Sequence, residues 1–199
     1  MTCENWILKA LDKVIFLDRD GTLNPDPGYI SSISQFKFYS DILTSLSFLA
    51  KLGYKFAIVT NQSGVARGLI NKEALEEIHQ YIYDQFAKLG IELLGIYSCL
   101  HHPDDGCKCR KPETALFDEA AHQHDIDLSS AVMIGDTSAD VKAGKARGMV
   151  TCLVRTGKGA EEEISLKDSG LEPDFIGDSL GDCTSFLSDL NADIGGEDN

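Results

Sequence analysis

The stretch VIFLDRDGTLN, residues 14–24, decides the fold of this chain. Its first four residues are all apolar, which predicts a strand buried on both faces, as in a parallel sheet covered by helices. Asp18 follows at the end of that strand, and Asp20 comes two residues later. Alternation along an extended chain predicts that Asp18 and Asp20 point to one side and Arg19 to the other.

A strand that simply ends in a turn is the alternative, because Asp and Gly are common turn residues. A turn explains one aspartate and Gly21, but not a second carboxylate held beside the first. Like charges this close repel unless a cation or a proton lies between them. Since open α/β folds bind ligands at the carboxyl edge of the sheet, the pair Asp18 and Asp20 predicts a functional site.

The motif DRDGT with an apolar strand before it resembles the first motif of the haloacid dehalogenase (HAD) superfamily of phosphohydrolases. The resemblance implies that Asp18 is the nucleophile and Asp20 the general acid and base. It also implies a Mg²⁺ ion between the carboxylate of Asp18 and the backbone carbonyl of Asp20.

Length and composition fit one domain over residues 1–199, with 43% hydrophobic and 25% charged residues. No segment reaches the roughly 20 apolar residues of a membrane span. The first residues, MTCENWILKALDK, do not resemble a signal peptide. We therefore expect a cytoplasmic protein with no membrane partner.

The net charge of −14 is concentrated near the end of the chain, where residues 160–199 carry 12 acidic side chains and one lysine. This excess argues against a nucleic-acid or anionic-membrane surface. Because most of it lies away from the motifs, a local cationic pocket for phosphate remains compatible with the composition.

Strand and helix patterns alternate along the whole chain, which predicts an α/β fold with a doubly wound parallel sheet and helices on both faces. No repeat or linker divides it, and only 41 residues separate Asp18 from Thr60, which leaves no room for a separate cap domain. The last residues, about 191–199, are expected to be frayed. The predicted strands cover 14–17, 55–60, 93–99, 131–135, 150–156 and a short edge strand 174–176, and the predicted helices 41–52, 72–89, 114–124, 138–147 and 179–190.

Two further strands end in polar residues. TNQSG follows the second strand, where the Thr60 hydroxyl and free backbone N–H groups could bind a phosphoryl oxygen, although such a sequence is also typical of a turn. GDTSAD follows the fourth strand, where Asp136 could complete a Mg²⁺ shell of hard oxygen ligands. An aspartate before a helix can instead cap it, and for Asp140 both interpretations stay open.

Lys111, in the sequence CRKP, offers the cation that a phosphoryl site needs, and Pro112 after it favours an extended backbone at Lys111. These motifs are similar to the second, third and fourth HAD motifs. The resemblance implies that Thr60 binds the transferring phosphoryl group, that Lys111 neutralises Asp18 and the phosphoryl oxygens, and that Asp136 binds Mg²⁺.

Residues 99–109, CLHHPDDGCKC, place three cysteines and two histidines in one short loop. The six cysteines of the chain do not form a framework pattern, which argues against disulfides. Three thiolates and one imidazole suit a tetrahedral structural Zn²⁺ ion. The expected zinc ligands are Cys99, His101, Cys107 and Cys109. The choice of His101 over His102 is what the family resemblance implies, and His102 is expected to be a loop or substrate-side residue.

Together, DRDGT, TNQ, CRKP and the Cys–His–Cys–Cys loop resemble the D-glycero-D-manno-heptose-1,7-bisphosphate 7-phosphatases and the related histidinol-phosphate phosphatases. The segments SGVARG (63–68), NPDPGYI (24–30) and LVRTGKG (153–159) are similar to the heptose branch. One departure is Thr137, where heptose enzymes often have lysine. The resemblance implies substrate contacts at Asp26, Pro27, Gly28, Tyr29, Thr60, Asn61, Gln62, Ser63, Arg110 and Lys111, and Arg67 and Thr137 are further candidate contacts.

The sequence therefore predicts a monomeric, Mg²⁺-dependent phosphatase that acts on a small sugar bisphosphate and carries a structural Zn²⁺ ion. Arg67 and Arg110 are the expected contacts of the second phosphate, because the planar fork of arginine suits phosphate. Histidinol phosphate is an alternative substrate. A non-catalytic phosphosugar-binding or zinc-organised interaction protein is an alternative of another class, although such a protein has no use for the pair Asp18 and Asp20.

Overall fold

The computed structural model describes residues 13–195. Two expectations from the sequence fall partly or wholly outside this range. Residues 1–12, most of the segment judged not to resemble a signal peptide, lie outside it. Residues 196–199, the final part of the expected frayed end, also lie outside it. The last helix continues to Gly195, five residues beyond its predicted end.

The described residues form one six-stranded parallel sheet, in the order β3-β2-β1-β4-β5-β6. The chain starts at a central strand, extends to one edge and then returns to build the other half. This confirms the doubly wound parallel sheet, and all six predicted strands are present. Their bounds are β1 Val14–Leu17, β2 Lys55–Asn61, β3 Leu93–Cys99, β4 Val132–Gly135, β5 Val150–Val154 and β6 Phe175–Gly177.

Five of the six helices in this part of the chain match predicted ones, and α5 was not predicted. Its sequence has only a faint apolar stripe, because Leu166 is its one large buried apolar side chain, while Ile164 is exposed. Acidic residues in its first turn and Gly170 at its end are the signals that mark it. The helices are α1 Ile42–Lys51, α2 Lys72–Lys88, α3 Ala115–His124, α4 Ser138–Ala146, α5 Gly159–Ser169 and α6 Leu180–Gly195.

Helices cover both faces of the sheet, and the central strand shows why. All four residues of β1 are fully buried. Ile15 and Leu17 belong to the apolar core that α1, α2 and α6 complete, while Val14 and Phe16 belong to the core completed by α3 and α4. A strand buried on both sides needs a continuous apolar run, as the sequence shows.

The connection between β1 and β2 holds one short 3₁₀ turn, Ile33–Gln35, and helix α1, with no further sheet. This agrees with the expectation of no cap domain in that connection. Within residues 13–195, no helix is long and apolar enough to cross a membrane.

Candidate active site

A polar cleft of about 490 Å³ opens at the carboxyl edge of the sheet. It lies where β1 is flanked by β2 and β4, so the residues that follow these three strands converge on it. The backbone N–H of Asp18 still donates to the carbonyl of Ile134, at 2.9 Å, which fixes the end of β1 against β4. The fold thus brings together the motifs that the sequence placed at strand ends.

Lys111 forms the ionic centre of this cleft. Its Nζ lies 2.6 Å from Asp18 Oδ1 and 2.6 Å from Asp140 Oδ1, and it donates to the carbonyl of Val59, also at 2.6 Å. Burial alone lowers the pKa of Lys111, but the charges of Asp140 and Asp18 outweigh it and raise the pKa. Lys111 is therefore a buried, charged cation.

Asp140 has the capping role, one of the two that the sequence left open. Its Oδ2 accepts from the backbone N of Thr137, at 3.0 Å, and from Thr137 Oγ1, at 2.6 Å, so it satisfies donors at the start of α4. Its other oxygen faces Lys111. Asp140 thus ties the first turn of α4 to the ammonium group beside Asp18.

Asp20 is held by three neighbours. Arg19 donates from Nε and Nη2, the latter at 2.6 Å, and the amides of Asn24 and Gln62 donate at 2.9 Å and 2.7 Å. Burial by itself raises the pKa of Asp20, but the charge of Arg19 and these hydrogen bonds lower it below its usual range. Asp20 is a carboxylate in the free protein.

The expectation that Arg19 points away from the two aspartates was wrong. Strand geometry ends at Leu17, so strict alternation no longer applies beyond it. Arg19 is 1% exposed, and its guanidinium turns to the Asp20 carboxylate. A buried arginine needs such a partner, because an unpaired buried charge is costly.

Asp136 is buried and lies under the loop that follows β5. Its Oδ2 accepts from the backbone N of Lys158, at 2.9 Å. Gly21 and Gly157 both have positive φ angles and lie so close that a Cβ on either would come within 2.1–2.2 Å of Asp136 Oδ2. Burial, together with the charge of Asp140, raises the pKa of Asp136 to about 7.

The carboxylates of Asp18, Asp136 and Asp140 fit a hard cation. One oxygen from each lies within 4.8 Å of the others. Burial raises the pKa of Asp18 well above its usual range although Lys111 opposes the shift. A divalent ion would stabilise the charged forms of these carboxylates, and carboxylate oxygens are the ligands Mg²⁺ prefers. The carboxylate of Asp20 is not part of this group, which agrees with a ligand role through its backbone carbonyl.

The side-chain amides of Asn61 and Gln62 are bound to neighbouring residues of the cleft. Gln62 Nε2 donates to Asp20 and also to Thr60 Oγ1, at 2.8 Å. The side-chain amide of Asn61 pairs with the backbone of Lys111. Asn61, Gln62 and Ser63 all line the cleft, as the resemblance implied.

The segment 24–30 forms one wall of the cleft through Asp26, Gly28 and Tyr29. Pro27, also expected to contact substrate, is exposed and does not line it. Asp26 Oδ1 accepts from the backbone N of Gly28, at 2.9 Å, which bends the segment. Its other oxygen lies 3.3 Å from Lys158 Nζ, so this wall is joined to the loop over Asp136.

Arg67 and Arg110 line the cleft, and neither forms an ion pair with any described residue. Arg110 Nη1 is buried and has no hydrogen-bond partner in this part of the chain. By contrast, Lys111, Arg19 and Lys158 each face a carboxylate. Two arginines in the cleft are thus available to an anion.

The loop 99–109 brings its four expected metal ligands together. Five separations between their sulfur and nitrogen atoms are 3.1–3.7 Å, and all four donor atoms lie within 4.8 Å of one another. Tetrahedral ligands about 2.3 Å from a zinc ion are roughly 3.7 Å apart, so the cluster fits such an ion. The grouped residues are Cys99, His101, Cys107 and Cys109.

His102 is separate from this cluster, as expected for a loop residue. Its Nδ1 accepts from the backbone N of Asp104, at 3.3 Å, and its backbone N donates to Asp105 Oδ2, at 2.8 Å. These bonds close the 3₁₀ turn Pro103–Asp105, whose proline reaches the cleft. Of these two histidines, His101 is the one that lies beside the three cysteines.

Among the residues that line the cleft but were not predicted as site residues are Lys158, Glu162 and Pro103. Lys158 lies in the stretch 153–159, whose similarity to the heptose branch was the available signal. Glu162 belongs to helix α5, which was not predicted, and accepts from the backbone N of Ser138 at 3.1 Å. No pattern in the sequence marks it.

The sheet order and the aspartate–lysine centre define a HAD-like hydrolase. A family model described as HAD-hydrolase-like matches residues 108–183. The chain is 37% identical over 187 residues to the D-glycero-beta-D-manno-heptose-1,7-bisphosphate 7-phosphatase of Haemophilus influenzae, covering 90% of this chain and 99% of that one. The corresponding Helicobacter pylori enzyme is 43% identical, over 67% of this chain and 78% of that one.

Among solved structures, D,D-heptose 1,7-bisphosphate phosphatase from B. bronchiseptica, complexed with magnesium and phosphate, matches with a TM-score of 0.80 and 32% identity, covering 89% of this chain and 99% of that one. The chain belongs to the D-glycero-D-manno-heptose-1,7-bisphosphate 7-phosphatase family of HAD-like hydrolases. This confirms the family resemblance found in the sequence.

Proposed function

We propose that this protein hydrolyses the 7-phosphate of D-glycero-D-manno-heptose 1,7-bisphosphate through an aspartyl-phosphate intermediate. The observation that carries the proposal is the pairing of Asp18 with Lys111, at 2.6 Å, in a cleft that also holds two arginines with no carboxylate partner. The names of the relatives supply the substrate. They favour the heptose bisphosphate over histidinol phosphate and a catalytic over a non-catalytic role.

In the first half of the reaction, Asp18 attacks phosphorus and the ester bond breaks, which splits a very slow hydrolysis into two steps. Asp18 Oδ1 accepts a hydrogen bond from Lys111, and its other oxygen has no hydrogen-bond donor among the described residues. Lys111 and the Thr60 hydroxyl face the charge that develops on the phosphoryl oxygens, and they are already in place.

Asp20 donates the proton to the leaving alkoxide and later takes one from the hydrolytic water. Its pKa is lowered in the free protein, so it must gain a proton when substrate arrives. The negative charges of a bound phosphate ester raise the pKa of a neighbouring carboxyl, which supplies that change. The bonds from Asn24 and Gln62 hold the carboxylate in position meanwhile.

Two metal ions complete the proposal. Asp18, Asp136 and the backbone carbonyl of Asp20 would hold Mg²⁺, which supplies positive charge to the phosphoryl oxygens when bound. The four ligands of the loop 99–109 would hold Zn²⁺ as a structural ion, since three sulfurs and one nitrogen suit that metal.

The second phosphate of the substrate is assigned to Arg67 and Arg110. Charge-assisted hydrogen bonds from arginine to phosphate are among the strong ones, and Arg110 Nη1 is a buried donor without a partner among the described residues. We further propose a cytoplasmic monomer. The five described cysteines form no disulfide with one another, which supports a reducing compartment.

A substrate panel tests the proposal directly. Purified protein with Mg²⁺ should hydrolyse both anomers of the heptose 1,7-bisphosphate with a kcat/KM at least tenfold above that for fructose 1,6-bisphosphate, histidinol phosphate and p-nitrophenyl phosphate. Phosphorus NMR would identify which phosphate leaves. Release of the 1-phosphate, or a preference for histidinol phosphate, would contradict the proposal.

A further inference from the structure

The side chain of Asn61 forms a reciprocal pair with the backbone of Lys111. The backbone N of Lys111 donates to Asn61 Oδ1, at 3.0 Å, and Asn61 Nδ2 donates to the carbonyl of Lys111, at 3.2 Å. Asn61 is the last residue of β2, so the pair joins the end of a core strand to the loop that carries Lys111. We propose that Asn61 is a positioning residue for Lys111 and not a contact of the substrate.

The position of this backbone matters because the ammonium group of Lys111 has three short contacts at once. Asp18, Asp140 and the carbonyl of Val59 all lie 2.6 Å from Nζ. Displacing a catalytic group by about 1 Å can cost on the order of 100-fold in rate. The four rotatable bonds of the lysine side chain are restrained at the ammonium end by these contacts, and the pair with Asn61 restrains the other end, the main chain.

The side-chain amide of the next residue, Gln62, restrains the other charged residue of the proposed mechanism, Asp20. Gln62 donates to Asp20, at 2.7 Å, while its own backbone N is bound to the carbonyl of Cys99, also at 2.7 Å. Two consecutive side-chain amides at the end of β2 are thus each bound to one charged residue, Asn61 to the backbone of Lys111 and Gln62 to the carboxylate of Asp20. Arg110 differs from both, because its Nη1 is buried and unpartnered in the described chain and is free for a ligand.

The pair with Asn61 also complements the metal loop. Cys109 lies two residues before Lys111, so a zinc ion would hold this backbone from one side and Asn61 from the other. The inference rests on the proposed function, since Lys111 matters to rate only if it faces the transferring phosphoryl group.

The test compares Asn61→Ala with Arg110→Ala on two substrates, the heptose 1,7-bisphosphate and p-nitrophenyl phosphate. A positioning role predicts that Asn61→Ala lowers kcat by about 10- to 100-fold on both, with KM for p-nitrophenyl phosphate changed less than about twofold. Arg110→Ala should lower kcat/KM for the bisphosphate alone. A loss confined to the bisphosphate in Asn61→Ala, or an unchanged kcat, would overturn the inference.

A second experiment removes the side chain of Lys111, which Asn61 is proposed to position. Single-turnover hydrolysis of p-nitrophenyl phosphate by Lys111→Ala and by the double variant with Asn61→Ala should differ by less than about twofold, because no ammonium group remains to be held. A further loss in the double variant would show that Asn61 acts on something else.

Asn61→Asp guards against a folding artefact, with far-UV circular dichroism as the check. Aspartate keeps the size of Asn61 and its acceptor for the backbone N of Lys111, but it places an oxygen against the carbonyl of Lys111. The kcat of this variant should therefore fall as in Asn61→Ala. A normal kcat would overturn the inference. Wild-type protein that cleaves p-nitrophenyl phosphate but not the bisphosphate would remove the proposed substrate and leave this test of Asn61 intact.

Discussion

The two groups of side chains that could hold a metal ion are built in opposite ways. The carboxylates of Asp18, Asp136 and Asp140 come from two strand ends and one helix, are buried, and meet only when the sheet has formed. The cysteines and histidine of the loop 99–109 come from one short segment that begins at the last residue of β3, and three of the four are partly or fully exposed.

The two regions contribute different parts of the proposed active site. The sheet carries Asp18, the proposed nucleophile, and its carboxylate neighbours, whereas the loop leads directly into the backbone from which Arg110 and Lys111 extend. Lys111 connects the two groups, because it lies two residues after Cys109 and its ammonium group lies 2.6 Å from Asp18. The following variants affect the two groups separately.

The largest effect is expected for Asp18→Asn, which removes the nucleophile from the carboxylate group. We expect kcat to fall by on the order of 10⁴-fold or more, while substrate still binds. Asp140 still pairs with Lys111, so the free energy of unfolding should change by no more than about 1 kcal/mol. Steady-state kinetics, isothermal titration with the bisphosphate and urea denaturation check these outcomes. Turnover well above background hydrolysis would mean that another group attacks phosphorus.

Arg110→Ala affects the loop side alone. Losing charged hydrogen bonds to the second phosphate should lower kcat/KM for the bisphosphate about 100-fold, and that for p-nitrophenyl phosphate less than about threefold. The solvent-exposed pair of Arg147 with Asp118 offers a matched control, because Arg147→Ala removes an arginine far from the cleft. Equal losses on both substrates would place Arg110 in phosphoryl transfer.

Gly157→Ala affects the carboxylate side alone and should be milder. Its φ of +57° strains any other residue, and the added Cβ would lie 2.2 Å from Asp136 Oδ2 and 2.5 Å from the Cα of Gly21. Asp136 must then move, so the Mg²⁺ concentration needed for half-maximal activity should rise about tenfold. Gly170→Ala, at a positive φ with open space around it, controls for backbone strain alone. An unchanged Mg²⁺ requirement in Gly157→Ala would separate this loop from the metal site.

Most of the fold was predictable because each strand of the sheet is an apolar run that ends in polar residues. The convergence of Asp18, Thr60 and Asp136 followed from one rule, that the carboxyl ends of parallel strands share an edge. The loop 99–109 was predictable for a different reason, since its ligands are close in sequence and their chemistry suits one metal.

What could not be predicted depends on side-chain directions beyond the strand ends. Arg19 no longer follows the strand alternation once β1 ends. The side-chain amide of Asn61 is bound to the backbone of Lys111, and that of Gln62 to the Asp20 carboxylate. Helix α5 was missed because it buries little apolar surface, and Glu162 was missed with it. Lys158 has no motif of its own, because its contact with Asp26 joins residues far apart in the chain.

The central claim is that the metal loop holds Lys111 in place for a reaction carried out on the sheet. The most direct measurement is the kcat of Cys107→Ala, assayed with saturating Mg²⁺, with zinc content from elemental analysis and folding from far-UV circular dichroism. Cys152→Ala, in the core strand β5, controls for the loss of a thiol.

The account predicts a zinc-free Cys107→Ala with near-native circular dichroism, because the core is built from strands elsewhere. Its kcat should fall about tenfold or more on both the bisphosphate and p-nitrophenyl phosphate, and added Mg²⁺ should not restore it. Full activity with zinc shown to be absent would contradict the claim. Global unfolding would also contradict it, because the loop would then support the whole domain and not Lys111 in particular.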